Sequence, residues 1–175
     1  MGQEVEDLGS LKRVGIISDT HGVVHPRVAE VFAGVEAILH AGDIGKREVI
    51  RELARIAPVI EIPGNIDGVD DAVRRVTIGG VRVLLTHILP RPSKLSQHVA
   101  RSLREAPADL VVFGHSHLPH DEVIGGVRFF NPASAGPRRF DYPVSVGLLA
   151  DGVPRHVALD ERSRAALAKR MNQLR

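Results

Sequence analysis

Val14-Gly15-Ile16-Ile17-Ser18-Asp19-Thr20-His21 is an apolar, β-branched run that stops on a carboxylate and an imidazole. The run predicts a short buried strand, Val14 to Ser18, with Asp19 leaving from its end. Pro26 then opens a helix whose apolar positions Val28, Val31 and Phe32 share a face, and Gly34 ends it. Val35 to Ala41 reads as a second strand, Lys46 to Ile56 as a second helix and Pro58 to Ile62 as a third strand. This β-α-β-α-β order predicts a parallel sheet with right-handed crossovers.

Past Asp67 the pattern changes. Val73 to Ile78 and Val81 to Thr86 flank Gly79-Gly80, a hairpin signal. A helix is expected over about Ser93 to Glu105, then a strand from Asp109 to Phe113. Strands follow at Pro119 to Ile124, Val127 to Phe130, Val144 to Ala150 and Pro154 to Leu159, with turns at Gly125-Gly126 and Asp151-Gly152. A parallel first half and a meandering second half suggest two sheets packed face to face, with helices outside. Glu161 to Arg175 is a further helix, with Leu167, Met171 and Leu174 on one face and Arg162, Arg164, Lys169 and Arg170 on the other. Packing on the body is its plain reading; a homo-oligomer contact and an acidic partner are the alternatives.

The chain of 175 residues fits one domain, with a core over about residues 13–159. With no Trp, one Tyr and five Phe, that core must be aliphatic. Twenty-three basic against 21 acidic residues give no footprint for nucleic acid. The lack of cysteine excludes thiolate catalysis and thiol-bound zinc. Met1 to Ser10 is acidic and polar, so no secretory signal is expected, and no apolar run approaches the ~20 residues of a membrane span. A cytoplasmic protein is expected.

Five short motifs carry the chemistry: Asp19-Thr20-His21, Gly42-Asp43, Gly64-Asn65-Ile66-Asp67, Thr86-His87 and Gly114-His115-Ser116-His117. Four of them directly follow an apolar run, so their donors leave from strand ends. Each alone has a duller reading as a turn or cap. Their candidate ligands, Asp19, His21, Asp43, Asn65, His87, His115 and His117, are two carboxylates, one carboxamide and four imidazoles, too many for one ion and suited to two. Such mixed donors suit Mn²⁺, Zn²⁺, Fe or Ni²⁺ better than the all-oxygen shells of Ca²⁺ and Mg²⁺. Neighbouring parallel strands would set Asp19 and Asp43 side by side, and Asp43 is the candidate bridge between ions.

This series resembles the calcineurin-like metallophosphoesterase superfamily, in particular its small bacterial and archaeal phosphodiesterases, over Arg13 to about Leu159. The resemblance implies an α/β fold, a four-layer α/β/β/α sandwich of two mixed sheets. It implies two divalent ions, with Mn²⁺ first, one held by Asp19, His21, Asp43 and His117 and the other by Asp43, Asn65, His87 and His115. Asp43, Asn65 and His87 would then carry a phosphodiesterase reaction, in which a water shared by the ions attacks phosphorus in line in a small phosphodiester or nucleotide-like substrate.

Two positions depart from the superfamily. Ile66 stands where larger members have a proton-donating histidine, a feature the small branch also lacks. Ile88 stands where a glycine is usual and narrows the expected cleft. Asn131-Pro132-Ala133-Ser134 resembles a loop bordering the site, followed by Arg138 and Arg139. Asn65, His25, His120 and Arg138 are the candidate substrate contacts, with surface or bystander roles as the plain reading of the last three. His40 is expected in the core, His98 and His156 at the surface. The rivals are a non-catalytic protein-binding scaffold, as in the eukaryotic retromer subunit of the same fold, and a phosphomonoesterase, which Ile66 disfavours.

Overall fold

In β2 (Arg13–Ile17), Val14 and Ile16 point one way and Gly15 and Ile17 the other, and this alternation divides the molecule into layers. The computed structural model describes residues 6–174; the expectations for Met1 to Val5 and for Arg175 lie outside it. β2, β3 (Ala37–Ala41) and β4 (Val59–Ile62) run parallel, linked through α1 (Val28–Val31) and α2 (Arg47–Leu53). The second sheet contains β1 (Glu6–Leu8), β5 (Val73–Ile78), β6 (Val81–Thr86), β7 (Leu110–Val112), β8 (His120–Ile124) and β9 (Val127–Asn131), in the order β1-β5-β6-β7-β9-β8. α3 (Gln97–Glu105) connects β6 to its parallel neighbour β7.

The last hairpin departs from the sequence reading. β10 (Ser145–Ala150) and β11 (Val153–Ala158) leave the meander and join the first sheet, giving the order β11-β10-β2-β3-β4. β10 lies antiparallel to β2, with Gly147 opposite Ile16. Both sheets are therefore mixed. Periodicity predicts each strand but carries no information on which edge it finds.

The inner faces meet in one aliphatic core, with Ile16, Leu39, Leu85, Val112 and Phe130 fully buried. Each such side chain contributes roughly 1.5–3 kcal/mol by leaving water. Ile17, Ile38 and Val146 face α1 and α2 on one outer side, while Leu84, Val111 and Phe129 meet Val99 of α3 on the other. Gly15 is needed there, because a Cβ would lie 2.9 Å from the Phe32 ring. The result is an α/β/β/α sandwich. α4 (Glu161–Gln173) buries Leu167 and leaves its arginine-rich face mostly exposed. Among the described residues no helix is long and apolar enough to cross a membrane.

Helices are shorter than expected. α1 keeps one turn of the segment from Pro26 to Gly34, because Phe32, seated on Gly15, is its deep anchor. α3 starts at Gln97 rather than Ser93; ahead of it Lys94 N–H closes a turn on Arg91 O at 3.0 Å. β1 has no apolar run to announce it; it pairs parallel with β5 and is pinned by Glu6 to Arg74 at 2.9 Å.

Candidate metal centre

All five motifs lie at the carboxyl ends of parallel strands, three from one sheet and two from the other. The loops after β2 and β3 continue side by side: Asp19 N–H donates to Gly42 O at 3.0 Å and His21 N–H to Asp43 O at 3.0 Å. In the other sheet, Gly114 N–H after β7 donates to His87 O after β6 at 3.1 Å. Two motif glycines serve close approach. A Cβ on Gly64 would fall 2.3 Å from Asp43 Oδ1, and one on Gly114 2.0 Å from Ser18 Oγ.

Two donor groups overlap here, Asp19 with His21 and His117, and Asp19 with Asp43 and His87. His21 Nε2 and His117 Nε2 are 3.0 Å apart, and Asp19 Oδ1 lies 3.3 Å from the latter. Two nitrogens bound ~2.1 Å from one ion at about a right angle would have this spacing. Asp43 Oδ2 lies 3.8 Å from His21 Nε2 and Oδ1 3.1 Å from His87 Nε2. Asn65 and His115 are exposed and pair with each other, His115 Nδ1–H donating to Asn65 Oδ1 at 2.9 Å. The His115 ring meets that of His87 edge-on at 5.4 Å. Asp19 thus stands in both groups, where the expected partition gave it to one ion.

The donors fit divalent ions. His87 Nδ1–H donates to Ala41 O at 2.7 Å, which leaves the Nε2 lone pair aimed inward. That Nε2 is buried without a well-directed hydrogen bond, facing a carboxylate oxygen, so only a proton or a cation satisfies both. Burial opposes charge on His87, but the Asp43 and Asp19 carboxylates and the Ala41 carbonyl outweigh it and hold its pKa above the ordinary imidazole value. For Asp43, burial also works against charge, yet His87, the Ile66 N–H and His21 keep its carboxyl below the usual range. His21 is pushed below the ordinary imidazole value, by burial first and then by Arg139.

Backbone strain concentrates at the same place. Among the described residues eight non-glycines have positive φ, and five are Asp19, His21, Asp43, His115 and His117. Asp and His tolerate this region better than most side chains, at a cost of ~1–3 kcal/mol each in sparsely populated cases.

The supporting contacts come from Asp67, Asn131 and His40, none of which the sequence marks as a support for the ligands. Asp67 accepts from the N–H groups of Ile44, Gly45 and Gly64, each at 2.9 Å, and so clamps two ligand loops together. Its placement three residues after Gly64 is a capping signal that could have marked it. Asn131 Nδ2 donates to Gly114 O at 2.8 Å while its Oδ1 accepts from Ala133 N–H at 2.9 Å. His40 is fully buried; Nδ1 accepts from Gly42 N–H at 3.2 Å and Nε2 donates to Thr20 Oγ1 at 3.0 Å. Burial drives its pKa down to about 4, so it is neutral at pH 7.

The expected substrate contacts fall in different surroundings. Arg138 is turned away from the centre: it donates to Tyr142 O at 2.7 Å, Asp160 Oδ2 at 2.6 Å and Ser163 Oγ at 2.9 Å, because the start of α4 offers it a carboxylate. Arg139 takes the inward position, 3.4 Å from His21 Nε2. His120 pairs with Glu122 at 3.0 Å, and His25 Nδ1 accepts from Arg27 N–H at 3.2 Å; neither belongs to the donor groups. His156, expected at the surface, is half-buried: it stacks 4.3 Å from Phe130 and donates to Asn131 O at 2.7 Å. His98 is half-buried against Thr86 and Ser96.

Residues 13–150 match the family model of the calcineurin-like phosphoesterase superfamily domain. A probable metallophosphoesterase of Methanothermobacter thermautotrophicus is 32% identical over 148 residues, covering 79% of this chain and 86% of the relative. The phosphodiesterase YfcE of Escherichia coli K12 is 30% identical over 83% of this chain and 91% of its own length. Its solved structure superposes with a TM-score of 0.64 and 28% identity, covering 86% of this chain and 95% of that one. Vacuolar protein sorting 29 from Cryptosporidium parvum shares the fold, with a TM-score of 0.66 at 20% identity over 85% of this chain and 96% of that chain. With its donors gathered at the strand ends of a two-sheet sandwich, the chain belongs to the calcineurin-like phosphoesterase superfamily and is a metallophosphoesterase.

Proposed function

We propose that the protein is a dinuclear-metal-dependent phosphodiesterase acting on a small phosphodiester or nucleotide-like substrate. The observation that carries this reading is the split of Asp43, one oxygen toward His21 and the other toward His87. A carboxylate so disposed can be shared by two ions. Asp19, His21 and His117 complete one side, and His87 with Asn65 and His115 the other. Two divalent ions bound there supply Lewis acidity toward phosphoryl oxygens and acidify a water enough to act as nucleophile near neutral pH. Mn²⁺ is our first choice, with Zn²⁺, Fe or Ni²⁺ suiting the same donors.

Asn65 stands on the rim, where its amide can donate to an ester oxygen as the group turns in line. His87 is held by Ala41 O in the tautomer a ligand needs. Ile66 uses its N–H on Asp43 Oδ1 at 3.1 Å and leaves its side chain 49% exposed, so nothing at that position protonates a leaving group. General acid catalysis is typically worth ~10²–10⁴-fold, and the preferred substrates are therefore esters whose leaving groups depart as stable anions. The likeness to a phosphodiesterase supports the same choice.

The test is turnover of the Mn²⁺-loaded protein across aryl diesters and alkyl monoesters. Rates should fall steeply as leaving-group pKa rises, and Ile66→His should flatten the slope. Alkyl monoesters cleaved as fast as aryl diesters would overturn the reading in favour of a phosphomonoesterase. A metal-loaded protein inert on every ester would favour a scaffold.

A further inference from the structure

We propose that Arg139, rather than its neighbour Arg138, grips the phosphate of the substrate at the metal centre; this rests on the metal-dependent reading above. The charge pairing around the loop singles it out. Arg138 pairs with Asp160 at 2.6 Å and Arg164 with Glu161 at 2.9 Å, while Arg162 pairs with Asp141. The carboxylates of this loop and of the start of α4 are thus taken. Arg139 is exposed, has no carboxylate partner among the described residues, and reaches to 3.4 Å from His21 Nε2.

Here the guanidinium N–H donates to that nitrogen; once its lone pair holds a cation the contact is lost and two positive charges face each other. The nitrogen lies 3.0 Å from His117 Nε2 and 3.8 and 4.0 Å from the Asp43 and Asp19 oxygens, the spot where the donors converge on a cation. Two cations so close repel unless an anion lies between them. A phosphodiester is such an anion: it can present one oxygen to the metal side and others to the planar N–H fork of arginine. As the nucleophile adds, charge on the equatorial oxygens grows, and the guanidinium holds the transition state as well as the bound ester.

The loop is built to present this side chain. Tyr142 N–H donates to Arg139 O at 3.1 Å, and Arg138 fastens the same turn to Tyr142 O and to the start of α4. One arginine anchors the loop and the next faces the site.

Calorimetric titration of the Mn²⁺-loaded protein with inorganic phosphate, with bound metal measured in parallel, tests this without turnover. Arg139→Ala should weaken phosphate binding roughly 10- to 100-fold at unchanged metal content. Arg139→Lys should recover part of the loss, since it restores the charge but not the fork. Arg138→Ala, which only loosens the loop, should melt at a lower temperature and lose much less phosphate affinity than Arg139→Ala. Wild-type phosphate affinity in Arg139→Ala overturns the assignment while leaving the metal reading intact. A wild-type protein that takes up no divalent ion overturns the metal reading itself.

Discussion

Where β5–β6, β8–β9 and β10–β11 turn back, left-handed backbone falls to Gly79, Gly80, Gly125, Gly126 and Gly152, joined by Asp151. At the opposite end, where β2, β3 and β7 run out, it falls to Asp19, His21, Asp43, His115 and His117. The hairpin end uses glycine at five of these six positions, Asp151 being the sixth, so the chain reverses with little strain. The ligand end cannot do so, because the positions that need positive φ also need donor side chains. Its strain is offset by hydrogen bonds from Asp67, Asn131 and His40, and on our reading by the ions. Stability is concentrated away from the chemistry, the usual division when a site must hold unfavourable geometry.

The largest effect expected is at the ligand end. Asp43→Asn should cut turnover on the order of 10³-fold and weaken both metal sites. With chelator present, the variant should melt somewhat lower than the wild type, because His87, the Ile66 N–H and His21 favour the charged Asp43 carboxylate in the folded chain. Elemental analysis and melting curves check both parts. Two retained ions with full activity would break the contrast between the two ends.

Next comes metal itself. A ligand at 100 times its Kd stabilises by ~2.7 kcal/mol, which for a chain of this size is a Tm rise of ~5–10 °C. Chelation should reverse it. A Tm indifferent to Mn²⁺ and to chelator would remove the ions from the account of how the strain is tolerated.

Asp67→Ala sharpens the comparison, since it removes three backbone bonds behind the ligands without touching a donor. Metal affinity should fall ~10–100-fold by calorimetry. Gly80→Ala, at φ 84 in a hairpin turn, should instead lower Tm by a few degrees with metal affinity unchanged.

The smallest effect belongs to Asp109, near the start of β7 at the hairpin end. Arg82, through its side chain and its backbone N–H, holds the carboxyl at about 2. The folded-state pKa lies below the ordinary value, so the pair stabilises fully above about pH 4 and loses its contribution as pH falls toward 2. Asp109→Asn should lower Tm by only ~1–3 °C at neutral pH, because the pair is half-exposed, and the gap to wild type should close in acid.

The strand pattern was legible because it is local. Val73 to Ile78 and Val81 to Thr86 have the predicted bounds, with Gly79-Gly80 between them. Helix lengths were less so: one turn at Val28–Val31 stands where a longer helix was expected, since Phe32 anchors the segment better than propensity extends it. β1 was hidden, because Glu-Asp-Leu has neither alternation nor an apolar run. At the site, the motifs marked the donors but not their supports. Asp67 reads as one more turn residue until its three backbone partners are in place.

The sequence by itself determined the order and direction of the strands in the first half, an aliphatic two-sheet interior, and a set of carboxylate, amide and imidazole donors at strand ends. Each follows from periodicity or from residue chemistry within a few positions. Only the tertiary structure decided that the last hairpin joins the first sheet, that Asp19 stands in both donor groups, and that Arg139 rather than Arg138 faces the centre. Those outcomes depend on partners far along the chain: Gly147 opposite Ile16, His117 beside His21, Asp160 drawing Arg138 aside. Two adjacent arginines are alike in sequence, and the carboxylate that separates them arrives only when α4 folds back.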